Sequence, residues 1–290
     1  MANLHLHFQH PTNLNRPSSS PTQSIINPTR NQPYWDSIYS DIHTHLTKSI
    51  TIREPVTVFE PMHHLTFAPP IATASALCLA ACEVVGGQRE DAIVAASAIH
   101  LMHATIYTHD HLLLSGRVRS EPGSKPGDEE QGRVGSGPGS EGLHRFGPSV
   151  ELMTGDGILP FGFELLAGSV AGDNGERILR VIIEISRAVG SEGMIDGGDD
   201  DEVGSDQPSR QLHGCGAACG GILGGGSEEE IERLRRFGVY VGKVQGVLSE
   251  MGKSEGVKRE LVEKWKGLAL KELECFDGKK IEQILTIVNV

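Results

Sequence analysis

Apolar residues recur at helical spacing in one segment of the chain after another. Between Ser37 and Thr51 they fall at Ile38, Ile42 and Leu46, which predicts a helix with a single buried stripe. Pro69-Pro70 then opens a run to about Val85 that is small or apolar almost throughout. Proline is tolerated early in a helix, where its missing N–H costs nothing, so this run reads as a buried helix ended by Gly86-Gly87. Glu90 to Thr108 predicts another, with Ile93, Ala96, His100, Met102, His103 and Ile106 on or near its apolar side. Ser149–Ala171 and Asn174–Val189 continue the pattern, the latter with a stripe of Ile178, Val181, Ile182 and Ile185. Ser227 followed by Glu228, Glu229 and Glu230 is a helix start: a capping serine, a glutamate at the third position, and acids at the positive end of the dipole. Helices over about Glu228–Met251, Gly256–Cys275 and Gly278–Val288 complete the chain. Nothing alternates in the way an α/β fold requires, so the fold class is all-α.

Two stretches break the pattern. Residues 115–142 and 196–210 are rich in Gly, Pro, Ser and charge and lack periodic apolar positions, which predicts long flexible loops. The second contains Asp199, Asp200, Asp201 and Glu202. Such a run can bind a divalent cation, but without ordered flanks it reads as a solvated loop. At the other end, no Asp or Glu precedes Asp36, and Ser, Thr, Asn and Pro dominate. That composition is expected of an organelle transit peptide over residues 1–33, the simpler alternative being a disordered tail. Residues 34–290 then form the helical domain.

Composition narrows the function. A formal charge of −12 over 290 residues, with no basic cluster carrying aromatics, argues against a nucleic-acid partner. No apolar run approaches the roughly 20 residues of a membrane-spanning helix. Five cysteines in a chain of this length do not make a disulfide framework. Four of them form two pairs of identical spacing, Cys78/Cys82 and Cys215/Cys219, each enclosing small or apolar residues.

Several segments resemble the trans-isoprenyl diphosphate synthase family, the plant geranylgeranyl diphosphate synthases in particular. They are Leu77–Gly87 (LCLAACEVVGG), His144–Gly147 (HRFG), Gly155-Asp156 leading into Phe161–Glu164 (FGFE), Arg187–Gly193 (RAVGSEG) and Ile222–Glu229 (ILGGGSEE). Each is weak alone, but five occur in the family's order over about Pro61 to Gly242. The resemblance implies an isoprenoid-synthase-type helical bundle. In that family Mg²⁺ held by aspartate-rich motifs neutralises the diphosphate leaving group, and Lys and Arg bind the remaining phosphate charge.

This chain departs from the pattern at nearly every charged position, Asp110 alone surviving from the first aspartate motif. Where the first aspartate motif belongs, after a helix ending near Thr108, the sequence reads His109, Asp110, His111, with Gly116 at the third aspartate position. The second motif belongs after Phe237, yet from there to Val290 the only aspartate is Asp277. The basic segment GGKRxRP is replaced by Pro69–Ser75, its basic positions becoming Ile71, Ala72 and Ala74. A Lys-Thr pair expected after a histidine is Gly214-Cys215, following His213. The chain thus resembles the small subunits of plant heterodimeric geranyl and geranylgeranyl diphosphate synthases, whose mark is a pair of CxxxC motifs. The resemblance implies a regulatory subunit without catalytic residues, metal or cofactor, Mg²⁺ belonging to the catalytic partner alone. It further implies a geranylgeranyl diphosphate synthase large subunit as partner and a location in the plastid stroma.

Spacing of i,i+4 places both sulfurs of a pair on one helix face. Cysteine is a small hydrophobe, and with Ala and Gly beside it two helices can approach closely. Residue types alone leave two readings open for Cys78, Cys82, Cys215 and Cys219: the chain's own core, or a contact with another chain. The resemblance implies the contact. Zinc is disfavoured, since neither CxxC spacing nor clustered histidine accompanies the pairs. Two enzyme alternatives remain. The crowd of His100, His103, His109, Asp110 and His111 resembles an HD-type metal phosphohydrolase, with His63 or His64 as the upstream ligand but no marked downstream aspartate. A residually active prenyltransferase would need the acidic loop near Asp199 to replace the lost carboxylates, and a mobile loop is a poor ligand scaffold.

Overall fold

The computed structural model describes residues 32–114, 145–190, 207–249 and 255–289. No β-strand occurs among the described residues, and the elements are helices throughout. Helix α1 (Gln32–Ser49) buries Trp35, Ile38, Ile42 and Leu46, the predicted stripe extended by one turn toward the N-terminus. The Trp35 indole N–H donates to Thr286 Oγ1 at 2.8 Å, tying the start of the domain to a short 3₁₀ helix at its end (Ile284–Asn289).

Helix α3 (Thr73–Val85) is the central element. Ten of its residues, from Ala74 to Val84, are buried, because every side of it meets another helix. Gly86 ends it in the left-handed conformation (φ 101°), which a Cβ would oppose. Around α3 lie α1, α4 (Arg89–Leu114), α7 (Gln207–Leu223) and α8 (Glu228–Ser249). Helices α5 (Pro148–Gly168) and α6 (Gly175–Val189) form an outer layer against α4 and α7. At the start of α8 the capping box is reciprocal: Ser227 N donates to Glu230 Oε2 at 2.7 Å and Glu230 N to Ser227 Oγ at 3.3 Å. Helix α9 (Glu255–Glu272) adds a satellite core, in which Val262 and Trp265 pack on Val244 and Val247.

Four features differ from the sequence reading. Helix α2 (Val56–Phe67) was not predicted, since its β-branched start and internal Pro61 both speak against a helix. Packing on α4 and α5 outweighs that preference, and Met62, Leu65 and Thr66 are buried. Helix α4 runs to Leu114 rather than ending near Thr108, because Leu112 is buried and anchors the extra turns. The C-terminal helix expected over Gly278–Val288 is split into α10 (Gly278–Ile281) and the 3₁₀ helix. The loop expected over 196–210 gives way to α7 at Gln207, and the rest of it, like the 115–142 loop and the 1–33 segment apart from Gln32 and Pro33, lies outside the described residues.

Candidate functional site

The two cysteine motifs face each other where α3 and α7 cross. The backbones meet almost directly: a Cβ on Gly216 would lie 2.1 Å from Ala74 O, and one on Gly220 would lie 2.1 Å from Cys78 O. All four cysteines are buried, none more than 4% exposed. Cys215 and Cys219 share one face of α7 with their sulfurs 3.8 Å apart. On α3, the Cys82 thiol donates to Gln88 O at 3.2 Å, whereas Cys78 has only a 4.0 Å contact to Ala92 O. Burial pushes the Cys82 thiol up to about 12 and raises Cys78 well above the ordinary range. Cys219 is raised by its hydrogen bond with Cys215 and by burial. Cys78, Cys82 and Cys219 therefore stay protonated at physiological pH and serve as packing groups. All four lie inside the bundle, Cys78 and Cys82 toward the Ala92 and Gln88 carbonyls and Cys215 and Cys219 toward each other.

The α3–α7 crossing supports an outward face. Helix α7 packs on α6, which is fastened from behind by charged groups. Arg177 donates to Leu223 O at 3.1 Å, Arg180 pairs with Glu228, and Glu184, buried on α6, takes a bidentate pair from Arg235 of α8. The buried side of α6 is the predicted stripe, with Ile178, Val181 and Ile185 inside. On the opposite side Leu179 and Ile183 stand one turn apart and are 59% and 43% exposed. The sequence reading passed over these two residues. Their signal was present, as apolar side chains off the apolar stripe of an otherwise strongly amphipathic helix.

The positions where the family's basic segment belongs line a cavity of about 160 Å³. Pro70–Ala74 form one wall and Leu212-His213 another, with His103 and Gln245 closing it. None of the lining residues is Lys, Arg, Asp or Glu. Asp110 sits exposed on the last turns of α4, and its neighbour His111 is held by a 2.8 Å bond to Tyr107 O. His109 packs on Gly155, with its Nε2 3.4 Å from Asp156. Asp277, the sole aspartate after Phe237, caps α10 by accepting from Lys279 N at 3.0 Å. The family's Mg²⁺ requires several converging carboxylates, and this donor set does not fit it. An HD-type centre is not assembled either. Both ring nitrogens of His100 are engaged, by Thr66 O and Ala72 N, and His64 lies against the Phe146 ring. Among the described residues no group of three or more His, Cys, Asp or Glu is placed to hold a metal ion. Likewise, no described helix is long and apolar enough to cross a membrane.

No protein-family model matches the chain. It is, however, 40% identical over 277 residues to the chloroplastic heterodimeric geranylgeranyl pyrophosphate synthase small subunit 2 of Cannabis sativa, covering 88% of this chain and 90% of that protein. The chain belongs to the small-subunit family of heterodimeric geranylgeranyl pyrophosphate synthases. Solved structures agree with this placement. The geranyl diphosphate synthase small subunit of Antirrhinum majus matches with a TM-score of 0.72 and 47% identity, over 90% of this chain and 99% of that one. A chain of the mint heterotetrameric geranyl pyrophosphate synthase, solved as a deletion mutant with ligands, matches with a TM-score of 0.71 and 47% identity, over 89% of this chain and 100% of that one. The fold is therefore the isoprenyl-diphosphate-synthase bundle that the five motifs implied. The chloroplast location of the Cannabis sativa protein accords with the plastid expected here.

Proposed function

We propose that this small subunit is a non-catalytic regulatory protein of the plastid. It binds a geranylgeranyl diphosphate synthase large subunit and modifies that enzyme's activity or its choice between geranyl and geranylgeranyl diphosphate. The observation that carries the reading is the uncharged cavity: Ile71, Ala72 and Ala74 line it where the family's basic side chains belong, and none of its lining residues is Lys, Arg, Asp or Glu. A diphosphate placed there would be desolvated without partners, a cost of several kcal/mol per ion. The subunit accordingly turns over nothing by itself and requires no cofactor of its own. Its segment before Asp36 serves as the transit peptide, cleaved between about Ser20 and Tyr34.

Regulation by a subunit without catalytic groups works through differential contact. A partner conformation or product that the subunit contacts better becomes more populated, by no more than the difference in contact energy. We place the contact on the outer face of α6, around Leu179 and Ile183. The CxxxC motifs act from behind it, holding α3 and α7 together beneath α6. Two measurements test the reading. Purified chain given isopentenyl and allylic diphosphates with Mg²⁺ should form no product above the no-enzyme blank. Co-expression with a large subunit should give a complex in pull-down and an altered product profile or rate. Turnover by the isolated chain refutes the first part, and failure to bind any large subunit refutes the second.

A further inference from the structure

We propose that the cavity between Pro70–Ala74 and Leu212-His213 is a binding site for a small neutral organic molecule. Its occupant has about five or six non-hydrogen atoms, an apolar body and one hydroxyl or carbonyl directed at His103. The inference goes beyond regulation of a large subunit and does not depend on it.

Size is the first argument. A cavity of about 160 Å³ is close to the volume at which an engineered apolar cavity accommodates benzene. Chemistry of the walls is the second. Pro70, Ile71, Ala72, Ala74 and Leu212 supply an apolar lining, against which a hydrocarbon body loses its contact with water. No lining residue carries a formal charge, so an anion or cation inside would meet no counter-charge.

The polar edge selects the functional group. His213 and Gln245 are already paired with each other at 3.0 Å. The His103 ring has two ring neighbours, with centroids 6.1 Å from His100 and 6.0 Å from Tyr107. Among the described residues none hydrogen-bonds to it. An imidazole in its neutral form has one donor and one acceptor to satisfy, and either suits a hydroxyl. Burial, and to a smaller degree His100 and His213, push His103 down to about 4, so it faces the cavity uncharged at physiological pH. A neutral ligand suits a neutral ring.

The test uses the full-length chain without a partner. Its imidazole resonances are followed by NMR while 3-methyl-1-butanol, benzene or inorganic diphosphate is added. The expected result is a saturable shift at His103 with the alcohol, binding of benzene weaker by about tenfold for want of the hydrogen bond, and no saturable shift with diphosphate. Ile71→Trp, which fills the cavity from its partly exposed edge, should weaken the alcohol by at least about tenfold. The proposal is overturned if the alcohol gives no saturable shift at His103 in the wild-type chain. It is equally overturned if diphosphate binds there as well as the alcohol does, or if benzene matches the alcohol. Unchanged alcohol affinity in Ile71→Trp also removes the site from this cavity. Because no large subunit is present, these outcomes are independent of the pull-down.

Discussion

At the α3–α7 crossing single atoms decide what the chain tolerates. A Cβ at Gly216 or Gly220 would meet backbone oxygen, which cannot swing aside as a side chain would. Gly→Ala normally stabilises a helix interior by roughly 1 kcal/mol. Here Gly216→Ala and Gly220→Ala should instead lower the thermal midpoint by several degrees, measured by circular dichroism, because the helices must separate. The cysteines divide by their surroundings. Replacing Cys78 by Ser buries a hydroxyl beside an acceptor that is too distant, at a cost of roughly 1–3 kcal/mol. Ser at position 82 inherits the Gln88 carbonyl and should cost less. The midpoint of Cys78→Ser should therefore fall further than that of Cys82→Ser, by about 2–4 °C for each kcal/mol of difference. Equal midpoints would mean that the local acceptor is irrelevant. The spacing of the cysteines was legible in the sequence. Their internal destination was not, because one helix face can be covered by either the same chain or another.

Helix α6 joins the interior to the surface. Its inner stripe packs on α7, its charged flank is tied to α8 by Glu184–Arg235, and its outer face leaves two large apolar side chains in water. Exposed substitutions away from special features usually change stability by less than about 0.5 kcal/mol. Leu179→Asp combined with Ile183→Asp should thus leave thermal unfolding of the isolated subunit almost unchanged. The same double variant should weaken capture of the large subunit by tenfold or more in pull-down titrations, since two charges would be buried unpaired at the contact. Wild-type capture by the variant would move the docking surface elsewhere. Helices α2 and α7 carry the contrary lesson. Glycine at positions 214, 216, 220 and 221 depresses helix propensity, yet those residues allow α7 to lie against α3 and α8. Local preference loses to contacts that are distant in sequence.

Among the described residues, His100 and His103 are the histidines that burial holds most strongly in the neutral form. Burial lowers both His100 and His103 from 6.5 to about 4, the backbone bond to Thr66 only partly opposing it at His100. For a histidine with a depressed folded pKa, the unfolded chain binds more protons between about pH 4 and 6.5. Stability is therefore complete above about 6.5, declines as the pH falls through that window, and is flat with respect to these groups below 4. At 1.36 kcal/mol per unit the loss approaches roughly 3 kcal/mol for each histidine. Urea midpoints should drop steeply from pH 7 to pH 5, and His100→Gln should flatten the decline. A midpoint that does not change over that range would show these rings to be solvated. At this scale the contributions of sequence and tertiary structure separate. The sequence by itself determined the all-α class, the order of most helices, the capped start of α8 and the degeneration of four charged family motifs. Each of these follows from local periodicity, from capping chemistry, or from a residue type being absent. Only the tertiary structure decided that all four paired cysteines are internal, that the former basic segment lines an uncharged cavity, and that Leu179 and Ile183 face outward. A helical stripe specifies which face must be covered, whereas the identity of the cover depends on chain segments more than a hundred residues apart.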